Sequence, residues 1–271
     1  MNGARSALAG DAPAAPRSGA DSAPLVLAIE AATHLGSAAV LRGARVLAAE
    51  SVAMRDPESE RLMPAVAAVL AAAGATPRAI DRIVCGGGPG SFTGLRIAAA
   101  IAKGLATATG APLVAVPSLA LAAARPGSGR QTGGWLVVLD AMRGERYVAV
   151  VDLAPDARVA GLAAGARVVG YAYLGVTPAE AIPALVEAHG AVGVVDANAE
   201  PPLAAAAASF ALGSDTHSRA GSLVGEGDAL VPAAVDLALW EPDYGRKAEA
   251  QVKWEALHGR HLSAGAGGVG G

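Results

Sequence analysis

The stretch GGGPGSFTGLR, residues 86–96, decides how the rest of the chain is interpreted. It follows the apolar run Ile83-Val84-Cys85 and precedes a long alanine-rich stretch that begins at Ile97. A buried strand, a glycine turn, two hydroxyl side chains and the start of a helix, in that order, are typical of an α/β protein whose loop holds a phosphate or carboxylate. The candidate residues of this phosphate or nucleotide loop are Gly88, Pro89, Gly90, Ser91, Thr93, Gly94 and Arg96.

Neither common phosphate-binding pattern fits this loop. The Walker pattern needs Lys and then Ser or Thr after its last glycine, whereas Gly94 is followed by Leu95-Arg96. The dinucleotide pattern needs a third glycine where Thr93 stands. Two interpretations stay open: an anion-binding nest of outward-pointing amides from Ser91 to Gly94, or a structural turn in which Ser91 or Thr93 caps the helix.

The composition excludes several classes of protein. Hydrophobic residues make up 53% of the 271 and aromatic residues 3%, so the core is predicted to consist of small aliphatic side chains. The net charge of −3 provides no basic field for strong nucleic-acid binding by this chain alone. The single cysteine, Cys85, excludes an internal disulfide and a cysteine-rich zinc site. We expect a soluble, cytoplasmic protein without a membrane span.

The apolar pattern predicts two similar halves. The first half reads as a three-stranded meander, a helix, a strand, a helix and a strand, at residues 24–53, 57–74, 79–86, 92–110 and 112–116. The second half reads as a hairpin, a helix, a strand and a helix, at residues 134–154, 178–190, 191–198 and 201–212. Such a repeat predicts a tandem α/β architecture.

The chain is accordingly divided into five parts. Residues 1–23 are expected to be a disordered extension and residues 258–271 a disordered tail. Residues 24–124 form the predicted first lobe and residues 135–257 the second. The polar, Gly- and Pro-rich residues 125–134 are the predicted linker.

The loop and its flanks resemble the signature of the TsaB family, also called YeaZ. The similarity lies in GGGPGSFTGLRIAAAIAKGLATATGAPLVAVPSLALAA and continues in LAIEAAT…GSAAVL, ESERLMPAV, VVLDAMRGERYVAV and EPDYGRKAEA, so that it covers about residues 25–255. The resemblance implies the actin-like ATPase (ASKHA) fold, with two duplicated lobes of mixed sheet with helices. It also implies a non-catalytic dimerisation or scaffold subunit that binds and activates the TsaD-type threonylcarbamoyltransferase in tRNA threonylcarbamoyladenosine modification.

The resemblance also implies which partners and cofactors to expect. The implied partners are the TsaD-type catalytic subunit, the TsaE-type ATPase and a second copy of the chain, with tRNA contacted only indirectly. No cofactor is expected for this chain by itself, and ATP and magnesium would enter only within the complex. In the related TsaD subunit a His-x-x-x-His pair binds the metal, and Ser118 and Ala122 stand at those positions here. No metal site and no catalytic residue are therefore expected.

Two departures from the family pattern bear on nucleotide binding. Glu30-Ala31-Ala32 stands where the family commonly has Asp-Thr-Ser, and Glu58 stands where it commonly has His. The alternative function is an actin-fold ATPase or phosphotransferase that uses the loop from Gly88 to Arg96 together with Asp140. A metallopeptidase is disfavoured by the missing histidine pair.

The two helices of the first half are predicted to bind the partner. Between Ile97 and Gly110 the only charged residue is Lys103, and a helix that is apolar nearly all round is covered on two sides. The resemblance implies that these helices form the bundle that docks the catalytic subunit and a second copy. The predicted partner-binding residues are Leu62, Met63, Val66, Val69, Leu70, Ile97, Ile101 and Leu105.

Overall fold

The computed structural model describes residues 23–54, 61–156, 165–210 and 232–246, together with Leu257. The predictions for the N-terminal extension, for Glu58 and for the C-terminal tail lie outside these residues, apart from Ala23.

The first lobe is built on a five-stranded mixed sheet. Its strands lie in the order β3-β2-β1-β4-β5, in which β1, β2 and β3 form an antiparallel meander and β4 and β5 run parallel to β1. The strands are β1 Leu25–Glu30, β2 Leu35–Arg42, β3 Arg45–Ala53, β4 Arg82–Gly86 and β5 Leu113–Val116. The helices are α1 Leu62–Ala72, α2 Phe92–Thr109 and α3 Ser118–Ala123, with a single 3-10 turn at Pro77–Ala79.

The second lobe repeats the first four strands of that order. Its sheet has the order β8-β7-β6-β9, with antiparallel pairing from β6 to β8 and parallel pairing of β9 to β6. The elements are β6 Gly133–Asp140, β7 Glu145–Asp156, β8 Gly165–Pro178, α4 Ile182–Ala188 and β9 Gly193–Asp196, with 3-10 segments at Ala179–Ala181 and Ala204–Ser209. The repeated strand order confirms the predicted α/β class and the actin-like, duplicated arrangement.

Helix α2 forms where the sequence predicts it, because both of its ends carry strong signals. At its N-terminus Oγ of Ser91 accepts a hydrogen bond from the amide of Gly94, at 3.3 Å. At its C-terminus Gly110 adopts a left-handed conformation with φ 77°, which ends the helix. Of the two open interpretations of the loop, the one with a capping hydroxyl therefore describes Ser91 correctly.

Three apolar clusters hold the elements together. One lies beneath α1 and α2 on one face of the first sheet, and a small one lies beneath α4 on the second sheet. The third cluster joins the inner faces of the two sheets, with α3 and the 3-10 segment at Ala204–Ser209 between them. The amide of Ala204 donates to Oγ of Ser37 in β2, at 2.9 Å. The two lobes therefore share one core.

Two parts of the chain make contacts across the predicted boundaries. The predicted linker contacts both lobes. Arg125 donates to the carbonyl of Pro201 at 2.6 Å and Arg130 forms an ion pair with Glu200 at 2.5 Å. Arg130 also donates to the carbonyls of Ala122 and Ala123 in α3, at 3.2 and 3.1 Å. Residues 232–240, predicted to belong to the second lobe, return to the first, where Ala234 bridges to Val114 in β5. They cover the edge of the first sheet that would otherwise stay unpaired.

Two elements of the second lobe also differ from the prediction. The predicted helix over residues 201–212 is a 3-10 segment at Ala204–Ser209, held between the two sheets. Strand β8 was missed by sequence reasoning because Gly170 and Gly175 interrupt its alternation and register shifts occur in its pairing with β7. Alternation of apolar and polar residues is the signal on which strand prediction depends.

Candidate functional site

The glycine-rich loop between β4 and α2 is held by hydrogen bonds on both sides. The amide of Gly87 donates to the carbonyl of Val116 at the end of β5, at 2.7 Å. The amide of Ser91 donates to the carbonyl of Ala32 in the β1–β2 turn, also at 2.7 Å, and the amide of Gly94 donates to Ser91. The prediction that the amides of Ser91 and Gly94 point outward into an anion-binding nest is wrong, because both donate within the protein.

The loop lies close against the β1–β2 turn. A side chain at Gly94 would overlap the carbonyl oxygen of Ala31, so this helix position requires glycine. The other candidate loop residues divide by exposure: Gly88 and Pro89 are buried, Gly90 is half-buried, and Ser91, Thr93 and Arg96 are exposed.

The carboxylate of Glu30 lies at the centre of this region, at the end of β1. Its Oε1 accepts the amide of Ala32 at 2.5 Å, and its Oε2 accepts the hydroxyl of Ser118 at 2.9 Å. Oγ of Ser118 in turn accepts the amide of Gly88, at 3.1 Å. Glu30 and Ser118 both have no exposed surface. This carboxylate therefore joins the β1–β2 turn, the glycine-rich loop and the start of α3.

Burial dominates the electrostatics of Glu30. Removal from water raises the pKa of Glu30 to about 7, although the hydrogen bonds from Ala32, Ser118 and Ala31 act in the opposite direction. Burial, together with the charge of Glu30, raises the pKa of the neighbouring thiol of Cys85. Cys85 therefore stays a buried thiol, and the departure from the family pattern at Glu30 yields an internal hydrogen-bonding group.

The start of α3 occupies the position where the resemblance would place metal-binding histidines. The hydroxyl of Ser118 is engaged with Glu30, and Ala122 has no exposed surface. Among the residues that the structure describes, no group of three or more His, Cys, Asp or Glu side chains is arranged to hold a metal ion. The pair His258 and His261 lies outside the described residues.

The corresponding turn of the second lobe carries Asp140, the residue of the alternative function. Its Oδ1 accepts the amide of Met142 at 3.1 Å and the guanidinium of Arg146 at 2.9 Å. Met142 and Arg143 both have positive φ, at 67° and 58°, and Met142 is 69% exposed. Asp140 thus fixes the shape of an exposed hairpin tip.

Helix α1 turns most of its predicted partner-binding residues inward. Leu62, Val66, Val69 and Leu70 are buried against the first sheet, whereas Met63 is 42% exposed. Those four side chains therefore lie in the chain's own core, and of the predicted residues of α1 only Met63 is exposed; contact with a partner stays a prediction. The apolar stripe marks the side of the helix that covers the sheet.

The predicted partner-binding residues of α2 are intermediate in exposure. Ile97, Ile101 and Leu105 are half-buried and pack at the margin of the same core. Trp240 packs at this margin as well, and its ring lies 5.7 Å from Nζ of Lys103. The chain thus covers part of α2 with its own residues 232–240.

Mostly small side chains remain exposed on α1 and α2. The surface they form is uncharged, and its residues recur mostly every fourth position along each helix. We call it the small-residue face, and it consists of Met63, Ala67, Ala68, Ala71, Ala100, Gly104 and Ala108. Small side chains allow another helix to approach closely.

Arg96 belongs to an aromatic cluster at one end of this face. Its guanidinium lies 4.0 Å from the ring centroid of Phe92 and 5.7 Å from that of Tyr244, and its Nε donates to the hydroxyl of Tyr244 at 3.2 Å. Phe92 is 43% exposed. Sequence reasoning missed Phe92 and Tyr244 as site residues. In a chain with 3% aromatic residues, an aromatic side chain inside the loop was the available signal.

Comparisons with known proteins point to one family. The chain matches the family described as "TsaD: tRNA N6-adenosine threonylcarbamoyltransferase" over residues 53–196, more than half of its length. It is 37% identical over 123 residues to the tRNA threonylcarbamoyladenosine biosynthesis protein TsaB of Bacillus subtilis, covering 45% of this chain and 52% of that protein. The protein of the same name from Escherichia coli is 36% identical over 124 residues, with the same shares covered.

A solved structure extends this similarity to most of the described residues. YeaZ from Pseudomonas aeruginosa aligns with a TM-score of 0.52 at 28% identity, covering 68% of this chain and 88% of that one. The chain spans about half the length of the curated relatives that it matches. No helix among the described residues is both long enough and apolar enough to cross a membrane.

Proposed function

Because the chain belongs to the TsaB (YeaZ) family, we propose that it takes part in the biosynthesis of threonylcarbamoyladenosine in tRNA, as a non-catalytic subunit. In this role it binds and activates a TsaD-type threonylcarbamoyltransferase. The observation that carries the proposal is the small-residue face, an uncharged exposed surface on two adjacent helices of the first lobe. Large exposed apolar patches mark sites of protein association, and small side chains on a helix let a second helix approach closely.

The interior of the molecule supports a binding role over a catalytic one. The space between the sheets holds α3 and the 3-10 segment at Ala204–Ser209, whose side chains are nearly all buried and apolar. At the carboxyl end of β1, Glu30 is engaged by the hydroxyl of Ser118 and by the backbone amide of Ala32. Glu30 and Ser118 therefore hold the β1–β2 turn and the start of α3 together.

The test is copurification of the full-length chain with its cognate TsaD-type protein. Ala100→Glu and Ala67→Glu place a charge on the small-residue face without disturbing the core, since both alanines are exposed. We expect each variant to lose most of the bound partner while its thermal unfolding stays near that of the wild type. A charge buried without a partner at a helix interface is costly.

Ala184→Glu is the matched control for this test. Ala184 is likewise an exposed alanine within a helix, but it lies on α4 of the second lobe. Its variant should retain the partner. If the two variants in the first lobe copurify as well as Ala184→Glu, the small-residue face is not the docking surface.

A self-dimer through the same face would compete with the partner, and the TsaE-type ATPase and tRNA would join only the assembled complex.

The second candidate function, an ATPase or phosphotransferase, depends on the loop from Gly88 to Arg96 and on Asp140. The exposure of Asp140 favours it, because a carboxylate at a strand end can hold magnesium. Tight binding and turnover of Mg·ATP by the isolated chain, measured by titration calorimetry and phosphate release, would favour the enzyme.

A further inference from the structure

Four residues near the end of the described chain lie between the two lobes. We call residues 243–246 the interlobe strap. On one side, the amide of Asp243 donates to the carbonyl of Gly87 in the glycine-rich loop, at 2.7 Å. On the other side, the hydroxyl of Tyr147 in β7 donates to the carbonyl of Tyr244 at 3.1 Å, and Arg246 forms an ion pair with Glu145. The strap thus contacts the loop of the first lobe and the hairpin of the second.

The contact between strap and loop is a close approach of two backbones. A side chain at Gly88 would overlap the carbonyl oxygen of Asp243. A side chain at Gly245 would lie 2.8 Å from Cβ of Pro89 and would overlap the ring of Tyr147. The loop and the strap therefore each have a glycine at the point of closest approach, Gly88 and Gly245. Larger residues at these positions would force the two segments apart.

The strap also faces the inner side of the second sheet. Burial raises the pKa of Tyr147, Tyr171 and Tyr173, and the negative charge of Asp243 contributes to the rise at all three. The carboxylate of Asp243 therefore lies near tyrosine side chains of both β7 and β8. The loop, for its part, follows the carboxyl end of β4, where parallel sheets commonly bind their ligands.

We propose that the interlobe strap is the internal ligand of the glycine-rich loop and fastens the two lobes to each other through it. The strap holds the loop in one arrangement through Asp243 and connects it to β7 through Tyr244 and Arg246. A nucleotide that used the loop would have to displace the strap. This inference does not depend on the proposed function.

Hydrogen exchange of the full-length chain tests the proposal, with Gly245→Ala as the main variant. Gly110→Ala is the matched control, because both glycines have positive φ, 67° and 77°, but nothing lies within 4 Å of a side chain at Gly110. Both variants place an alanine at a positive φ, so the difference between them reports the packing of the strap. We expect amide exchange in residues 86–91 to be on the order of tenfold faster in Gly245→Ala than in Gly110→Ala, since local opening governs exchange.

Tyr147→Phe provides a second variant, which removes the hydrogen bond to the strap and keeps the ring. We expect it to speed exchange in the same peptide by a smaller factor, and it decides the question alone if Gly245→Ala does not fold. Unchanged exchange of the loop in both variants would overturn the proposal. If Gly245→Ala does not fold, unchanged exchange in Tyr147→Phe is sufficient to overturn it. Protection of residues 86–91 on addition of Mg·ATP to the wild type, with no change at residues 243–246, would also overturn it, because the nucleotide would then use the loop without displacing the strap. Unchanged exchange on that addition is the expected result.

Discussion

The first strand ends in the same way in both lobes, but the turn that follows it is buried in one lobe and exposed in the other. In each, the first strand ends in a carboxylate that accepts the amide two residues on, from Ala32 to Glu30 at 2.5 Å and from Met142 to Asp140 at 3.1 Å. Glu30 is fully buried, whereas the side chain of Asp140 is 44% exposed and forms an ion pair with Arg146. The same turn is part of the core in one lobe and part of the surface in the other.

The difference lies in what covers the turn. In the first lobe the glycine-rich loop and α3 close over Glu30, and α2 continues from that loop. In the second lobe β6 leads directly into β7 through an exposed hairpin tip. A carboxylate that orders a turn is thus tolerated deep inside the protein only where hydroxyl and amide donors surround it.

The largest expected effect comes from removing the two carboxylates in turn. Glu30→Ala leaves the buried hydroxyl of Ser118 and the amide of Ala32 without an acceptor and opens a cavity, so we expect it to lower the free energy of unfolding by about 2–5 kcal/mol. Asp140→Ala removes an exposed pair and should cost roughly 0.5–1 kcal/mol. Urea denaturation of both variants measures the difference, and equal losses would show that the two turns are energetically equivalent.

The next largest effect is the dependence of the free energy of unfolding on pH, which arises from the titration of Glu30. Its pKa rises from 4.5 to about 7 on folding, so the protonated form is favoured in the folded state. The stability that this group contributes is present in full below pH 4.5 and is lost as the pH rises through about 7, with a total on the order of 3 kcal/mol. Denaturation curves of Glu30→Gln at several pH values should lack this decline, whereas Asp140→Asn should retain it. A wild type and a Glu30→Gln variant with parallel pH profiles would contradict the assignment.

The smallest expected effect concerns helix α2, which follows the glycine-rich loop of the first lobe. Gly104 lies on the exposed side of α2 with nothing within 4 Å of an added side chain. Gly104→Ala should therefore raise the free energy of unfolding by roughly 0.5–1 kcal/mol, because glycine is unfavourable inside a helix. Thermal unfolding checks this, and copurification with the TsaD-type partner checks whether the added methyl group weakens docking. A loss of stability would show that the small-residue face is covered within the chain.

Sequence reasoning was most accurate for elements whose signals are local. Helix α2, with Ser91 at one end and Gly110 at the other, and the antiparallel meander of the first lobe were predicted correctly because caps, turns and alternation act over a few residues. The sequence did not reveal that the apolar stripe of α1 is buried within the chain, because such a stripe looks the same whether a sheet or another protein covers it. Val66 and Val69 face the first sheet.

The sequence by itself determined the five strands and helices α1 and α2 of the first lobe, the duplicated α/β class and the family, since all of these depend on short patterns. Only the tertiary structure decided that Glu30 is buried, which side of each helix stays exposed, and that the strap at residues 243–246 rests on the loop at Gly87 and Gly88. These contacts join residues far apart in the chain. Their formation depends on how the two sheets and their helices pack, and a short sequence pattern does not show which distant segments pack together.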